Sequence, residues 1–203
     1  DDPRHVAQRV NSLQLILNGA LRLSNLDEYA MPVSFSDFSH CELGGRHAVY
    51  AETIEELPFS KNPAIDSGMP EWNNPKTRFS SYLVYLAKSD PDLLSLLFLA
   101  GLVTSNSAIE CILTWGTLYK ILDCVRHYSK SNQLDIDSFA DKSRINEFTA
   151  ACNNMSSLGL YSRHGAAANQ PPRNVITDLS EAIGLINSLA SNFCKAYVKA
   201  KYP

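Results

Sequence analysis

Apolar side chains recur at helical spacing over residues 3–24, where Val6, Val10, Leu13, Leu17, Ala20 and Leu21 form one stripe. That spacing predicts a first helix packed through this stripe. Pro3 suits its first turn, and Gly19 is a weak point near its end. The period then shortens to two. Over residues 32–38, Val33 and Phe35 alternate with Ser34 and Ser36, and residues 46–57 carry Val49, Tyr50, Thr53 and Ile54. Gly44-Gly45 lies between them and can supply the positive φ angles of a tight turn, so the pattern predicts a small β-hairpin. Two strands alone are marginal in water, so the hairpin has to pack on other elements.

Residues 61–76, punctuated by Pro63, Pro70 and Pro75, read as a linker. Beyond it the helical period returns. Phe79, Tyr82, Leu83 and Leu86 make one stripe. Asp90 and Pro91 then cap and open a short helix that is apolar almost all round from Leu93 to Leu99, with Gly101 as its C-terminal stop. Ser107 and Glu110 form a capping-box pattern ahead of a long helix to about Tyr128, whose core face is Cys111, Trp115, Leu118, Leu122 and Val125. Asp141 caps a helix striped by Ile145, Phe148, Thr149 and Cys152. Thr177 or Ser180 starts the last, with Leu179, Ile183, Ile186, Ala190, Phe193 and Tyr197 in period. The expected class is α+β, mainly α. An N-terminal helix plus hairpin occupies 1–60, a linker 61–76, and a bundle of about five helices 77–203.

Composition narrows the function classes. The chain has 203 residues, 45% hydrophobic and 19% charged, which is an ordinary globular balance. A net charge of −3 advertises neither nucleic acid nor an acidic membrane surface. Its most apolar run, residues 93–103, is too short to span a bilayer, so no membrane association is expected. The N-terminal Asp1-Asp2-Pro3-Arg4-His5 has no apolar run behind it, so no secretory signal is expected, and without an initiator Met the sequence reads as a trimmed piece. Five cysteines, none at C-x-x-C spacing, read as small buried hydrophobes in a reducing cytoplasm, with no metal and no cofactor expected. Glycine-rich nucleotide motifs, G-x-S-x-G and H-E-x-x-H are all absent from the sequence.

Two places could carry chemistry. The connection over residues 155–176 is long for a structureless loop, and no Asp or Glu occurs from Phe148 through Thr177. It holds Arg163, His164, Arg173 and Asn174 and runs into a helix N-terminus at Thr177, where amides and the helix dipole favour anions. Arg163, Arg173, Asn174 and Thr177 are therefore the candidate anion-binding set, for a phosphate or an RNA backbone. The plainer alternative is a cover loop whose arginines pair with acids elsewhere. On the long helix, Tyr119, Asp123 and His127 recur at i, i+4 and i+8 and are expected to share a face. An Asp one turn before a His can orient its imidazole for acid–base work, or the two can be a simple surface pair. Arg163, His164, Asp123 and His127 are the candidate catalytic set.

Trp115, Leu118, Tyr119 and Lys120 in TWGTLYKILDCVR are followed by Phe148, Thr149 and Ala150 in EFTAACNN, by Arg163-His164-Gly165 and by Pro171, Pro172 and Asn174 in PPRN. With the closing amphipathic helix around Glu181-Ala182, this ordered set resembles a bacterial protein family of uncharacterised function. The helical half is also loosely similar to HEPN domains, helical bundles that often act as metal-independent RNases. In the HEPN motif an Arg and a His stand about one helical turn apart, whereas here Arg163 directly precedes His164. The expected function is a non-enzymatic helical domain that binds a protein partner or forms a homo-oligomer. The alternative is an HEPN-like protein that binds RNA, or cleaves it as a metal-independent endoribonuclease, through residues 155–176.

Overall fold

A computed structural model describes residues 2–25, 33–34, 38–42, 45–49, 58–59, 79–104, 107–165 and 173–202. It is mainly helical and divides into two compact units, Asp1–Gly101 and Leu102–Pro203. Residues 61–76, expected as the linker, lie outside the described residues.

In the first unit, helix α1 (Pro3–Leu23) begins as the sequence predicts, with the Asp2 carboxylate accepting the Arg4 N–H at 2.9 Å. Its buried face is not the expected one. Ala7, Ser12, Ile16, Gly19, Ala20 and Leu23 are buried, while Leu13 and Leu17 are exposed and Val6 keeps 46% of its surface. Helices α2 (Phe79–Ala87) and α3 (Pro91–Gly101) explain the change, because both pack on α1 and α3 does so very closely. A Cβ built on Gly19 would lie 1.9 Å from the Leu97 carbonyl oxygen, and one on Gly101 would lie 2.0 Å from that of Leu15. The two helices therefore touch backbone to backbone, running antiparallel, and only a face with glycine at both points can do this. Gly101, the last residue of α3 where the sequence puts the stop, is thus also a contact residue.

Polar groups fix the rest of this unit. Asp90 is only 1% exposed, and its Oδ1 accepts the N–H groups of Asp92 and Leu93 at 3.0 and 3.2 Å, the cap expected for α3. Arg22 donates to the Ala100 carbonyl at the end of α3 at 3.1 Å. The Asn18 amide both donates to the Val33 carbonyl and accepts its N–H, each at 2.8 Å. Arg9 Nε donates to the Pro58 carbonyl at 2.6 Å. Strands β1 (Phe38–Glu42) and β2 (Gly45–Val49) pair antiparallel, with Phe38 opposite Val49 and Glu42 opposite Gly45. Gly45 has φ 146°, a value that side chains disfavour. The strand expected over 32–38 meets β1 only at Phe38, and residues 50–57 of its expected partner lie outside the described residues.

The second unit is organised by helix α4 (Ala108–Ser131). Ser107 Oγ accepts the Glu110 N–H at 3.2 Å, as the capping pattern predicts. The Glu110 carboxylate instead accepts the Thr104 hydroxyl at 3.0 Å. Thr104 is also clasped by Thr114, which accepts its N–H at 3.1 Å and donates its hydroxyl to the Thr104 carbonyl. Helix α5 (Lys142–Cys152) is capped by Asp141 at Ser143 N, 2.7 Å, and buries Ile145, Phe148, Ala151 and Cys152. The stretch expected to be structureless opens instead with a short helix, α6 (Met155–Leu158), and a 3-10 turn over Gly159–Tyr161. Asn154 caps α6 by accepting the Ser156 N–H at 2.9 Å. The last helix, α7 (Leu179–Lys201), is capped by Asp178, not by Thr177 or Ser180, with Oδ1 accepting the Glu181 N–H at 2.7 Å. Phe193 on α7 gathers Tyr128, Phe139 and Tyr197 around it at centroid distances of 6.3, 5.9 and 5.2 Å.

The body expected over 77–203 is thus divided, with α2 and α3 in the first unit and α4 to α7 in the second. The glycine contact makes a direct prediction. Gly19→Ala should lower the unfolding free energy by about 3 kcal/mol or more, because the new methyl has a fixed backbone carbonyl in its place. Gly184→Ala on α7, where a Cβ meets nothing within 4 Å, should instead raise it by up to about 1 kcal/mol through helix propensity. Urea unfolding of the two variants checks both signs.

Candidate functional site

Helices α4 and α5 meet through aromatic rings, and the candidate residues hang on that contact. Trp115 and Tyr119, one turn apart on α4, both stack on Phe148 of α5, with centroids 6.0 and 6.4 Å away and interplanar angles of 16° and 29°. Tyr119 is therefore buried and does not share an exposed face with Asp123 and His127, as the i, i+4, i+8 spacing had suggested. The guanidinium of Arg163 lies over the Tyr119 ring, 4.3 Å from its centroid. The Arg163 backbone N–H donates to the carbonyl of Cys152, the last residue of α5, at 2.6 Å. The turn that delivers Arg163 is held by the Ser162 hydroxyl, 2.8 Å from the Gly159 carbonyl and 2.7 Å from that of His164. Arg163 is thus a cap on the aromatic contact and on the end of α5 at once.

The other members of the candidate catalytic set stand apart from it. His164 is exposed. Asp123 pairs with Arg126 at 3.8 Å, on the surface of α4. The exposed His127 ring lies edge-on to Tyr128 at 5.8 Å. Among the described residues, no hydrogen bond or ion pair joins Arg163 or His164 to Asp123 or His127. Beneath Arg163, burial pushes the Cys152 thiol up to about 12, and the arginine charge lowers it only in part. That thiol stays protonated and inert at neutral pH.

Arg173, Asn174 and Thr177 of the anion-binding set are all exposed. The helix end they lead into already carries two carboxylates, the Asp178 cap and Glu181 in the first turn. Glu181 is also bound by Arg144 of α5, which holds Glu147 as well. Two negative charges at the positive end of the dipole oppose the entry of a phosphate there. Among the described residues there is also no group of three or more His, Cys, Asp or Glu that could hold a metal ion.

The feature that the sequence reading missed is a groove of about 360 Å³ in this unit. Trp115, Leu158 and Leu179 give it an apolar floor, and Cys111, Ser157, Tyr161 and Thr177 line the rest. Among the described residues its lining offers hydroxyls and one thiol but no carboxylate, imidazole or amine, so it is suited to holding an apolar group with a few hydrogen bonds. On the other side of α4 from Cys111 and Trp115, its first turns expose Ile109 at 71% and Leu113 at 62%, with Ile112 also exposed. Leu160, next to Tyr161, is 78% exposed. Ile109, Ile112 and Leu113 form a second apolar stripe, at i, i+3 and i+4 on the side of α4 away from Leu118 and Leu122. The chain matches no family model, no curated protein and no solved structure.

Two outcomes follow for the arginine cap and the thiol beneath it. Arg163→Ala should cost about 1 kcal/mol in urea unfolding, the size of a partly exposed cation–π contact, and should push the Cys152 thiol further up, since the arginine charge lowers it. The thiol also sets a pH dependence. Its folded pKa of about 12 stands above the ordinary 9.0, so its contribution is fully present below pH 9.0 and is lost as pH rises toward 12. Unfolding free energy measured from pH 8 upward should fall across that window, and Cys152→Ala should flatten the fall.

Proposed function

We propose that this chain is a non-enzymatic helical interaction domain that binds a protein partner or a copy of itself through the apolar surface of its second unit. The observation that carries the reading is the run of exposed apolar side chains on the first turns of α4, Ile109, Ile112 and Leu113, on the side away from its core face. Isolated exposed leucines are ordinary, but several together on one helix face mark an interaction surface. The dispersal of Arg163, Asp123 and His127 onto separate structural contacts also supports binding over acid–base chemistry. A cytoplasmic setting fits Cys152 and Cys194, which are buried as small apolar groups. Among the described residues no helix is long and apolar enough to cross a membrane.

The HEPN-like alternative rests on one observation: Arg163 and His164 are both exposed within a stretch that has no acid from Phe148 to Thr177. One experiment separates the two. The full chain and its Ile109→Asp/Leu113→Asp variant are compared for association, by light scattering and by co-purification. Both are incubated with labelled RNA in EDTA, beside Arg163→Ala/His164→Ala. The expected result is association by the wild type, its loss in the α4 variant with thermal stability kept, and intact RNA throughout. RNA cleavage that disappears in the arginine–histidine variant would overturn the proposal in favour of the nuclease.

A further inference from the structure

The three helix glycines that matter here differ in what surrounds them. Gly19 and Gly101 each have a backbone carbonyl where a side chain would stand. Gly116, in the middle of α4, is exposed and a Cβ there would meet nothing within 4 Å. Glycine weakens a helix relative to alanine, and among the described residues nothing uses the space that Gly116 leaves. It lies on the same face as Ile109, Ile112 and Leu113, at i+7, i+4 and i+3 from them, so the bare backbone sits at the end of the exposed apolar patch.

Charges bracket this patch with opposite signs. Glu110 stands on its N-terminal flank and exposed Lys120 beyond Gly116 on the same side. A parallel copy of α4 would set like charges against each other. An antiparallel copy, related by a two-fold axis at the level of Trp115, sets Glu110 beside the partner's Lys120, and does so twice. The same register brings Leu113 within one residue's rise, about 1.5 Å along the axis, of the partner's Gly116, a projection near a depression of the kind that lets α1 and α3 meet through glycine.

Deepening the interaction reading on which it rests, we infer that the occupant of this face is a second copy of the chain, docked antiparallel through α4 about a two-fold axis. The contact is isologous, and its complementarity resides in one helix face.

Sedimentation of the full chain over a concentration series tests this. The wild type should dimerise. Gly116→Leu should keep its melting temperature, since among the described residues no atom stands within 4 Å of a Cβ there, yet weaken dimerisation about tenfold or more. Lys120→Glu and Glu110→Lys should each weaken it about three- to tenfold, and the double charge reversal should restore it. A dimer indifferent to Gly116→Leu, or charge reversals that do not rescue each other, would overturn the inference. So would a monomer at every concentration. If Ile109→Asp/Leu113→Asp still abolished binding of a different protein, the interaction reading would survive that result while the second copy would not.

Discussion

How closely two helices approach is decided by what stands at Cβ along their contact, and this chain uses opposite solutions in its two units. In the first, Gly19 and Gly101 remove the side chain altogether, so that α1 and α3 meet through the carbonyls of Leu97 and Leu15. That contact selects the buried face of α1 and turns Leu13 and Leu17 outward. In the second, α4 and α5 are held apart by the width of aromatic rings, with Phe148 between Trp115 and Tyr119. Small residues give a tight, inextensible contact, whereas rings leave room at their edges, and that room is where Arg163 and the groove are found.

Arg163 illustrates how a residue with a chemical reputation can be used for packing. Its guanidinium spreads over Tyr119 while its backbone closes the end of α5. The planar cation suits this place because it can lie flat on a ring and stay hydrated on its other side. His164, carried one residue further, has no such contact and turns to solvent.

Local signals were legible in the sequence, and long-range ones were not. The caps at Asp90, Ser107 and Asp141 depend on one side chain and the next few amides, and all three stand where the pattern puts them. The buried stripes of α5 and α7 were legible for the same reason, since Phe148, Ile186 and Phe193 have large side chains in one clear period. Helix α1 was misread because apolar residues lie on two of its faces, and the choice between them depends on a glycine contact across the unit. The segment after Asn154 was misread because its helix is four residues long, too short to show a period. The groove escaped notice because its lining comes from three separate stretches of chain, so no single stretch signals it.

The clasp between Thr104 and Thr114 has a consequence for the dynamics of the surface just beyond it. The first turn of a helix is ordinarily its most frayed part, because nucleation fixes several dihedrals for one hydrogen bond. Here residue 104 is bonded through both its amide and its carbonyl to the second turn of α4, and Glu110 is tied to the Thr104 hydroxyl. The turns that carry Ile109 and Leu113 are thereby pinned at both ends. Whatever settles on them meets side chains whose backbone is already ordered, and loses correspondingly little entropy in doing so.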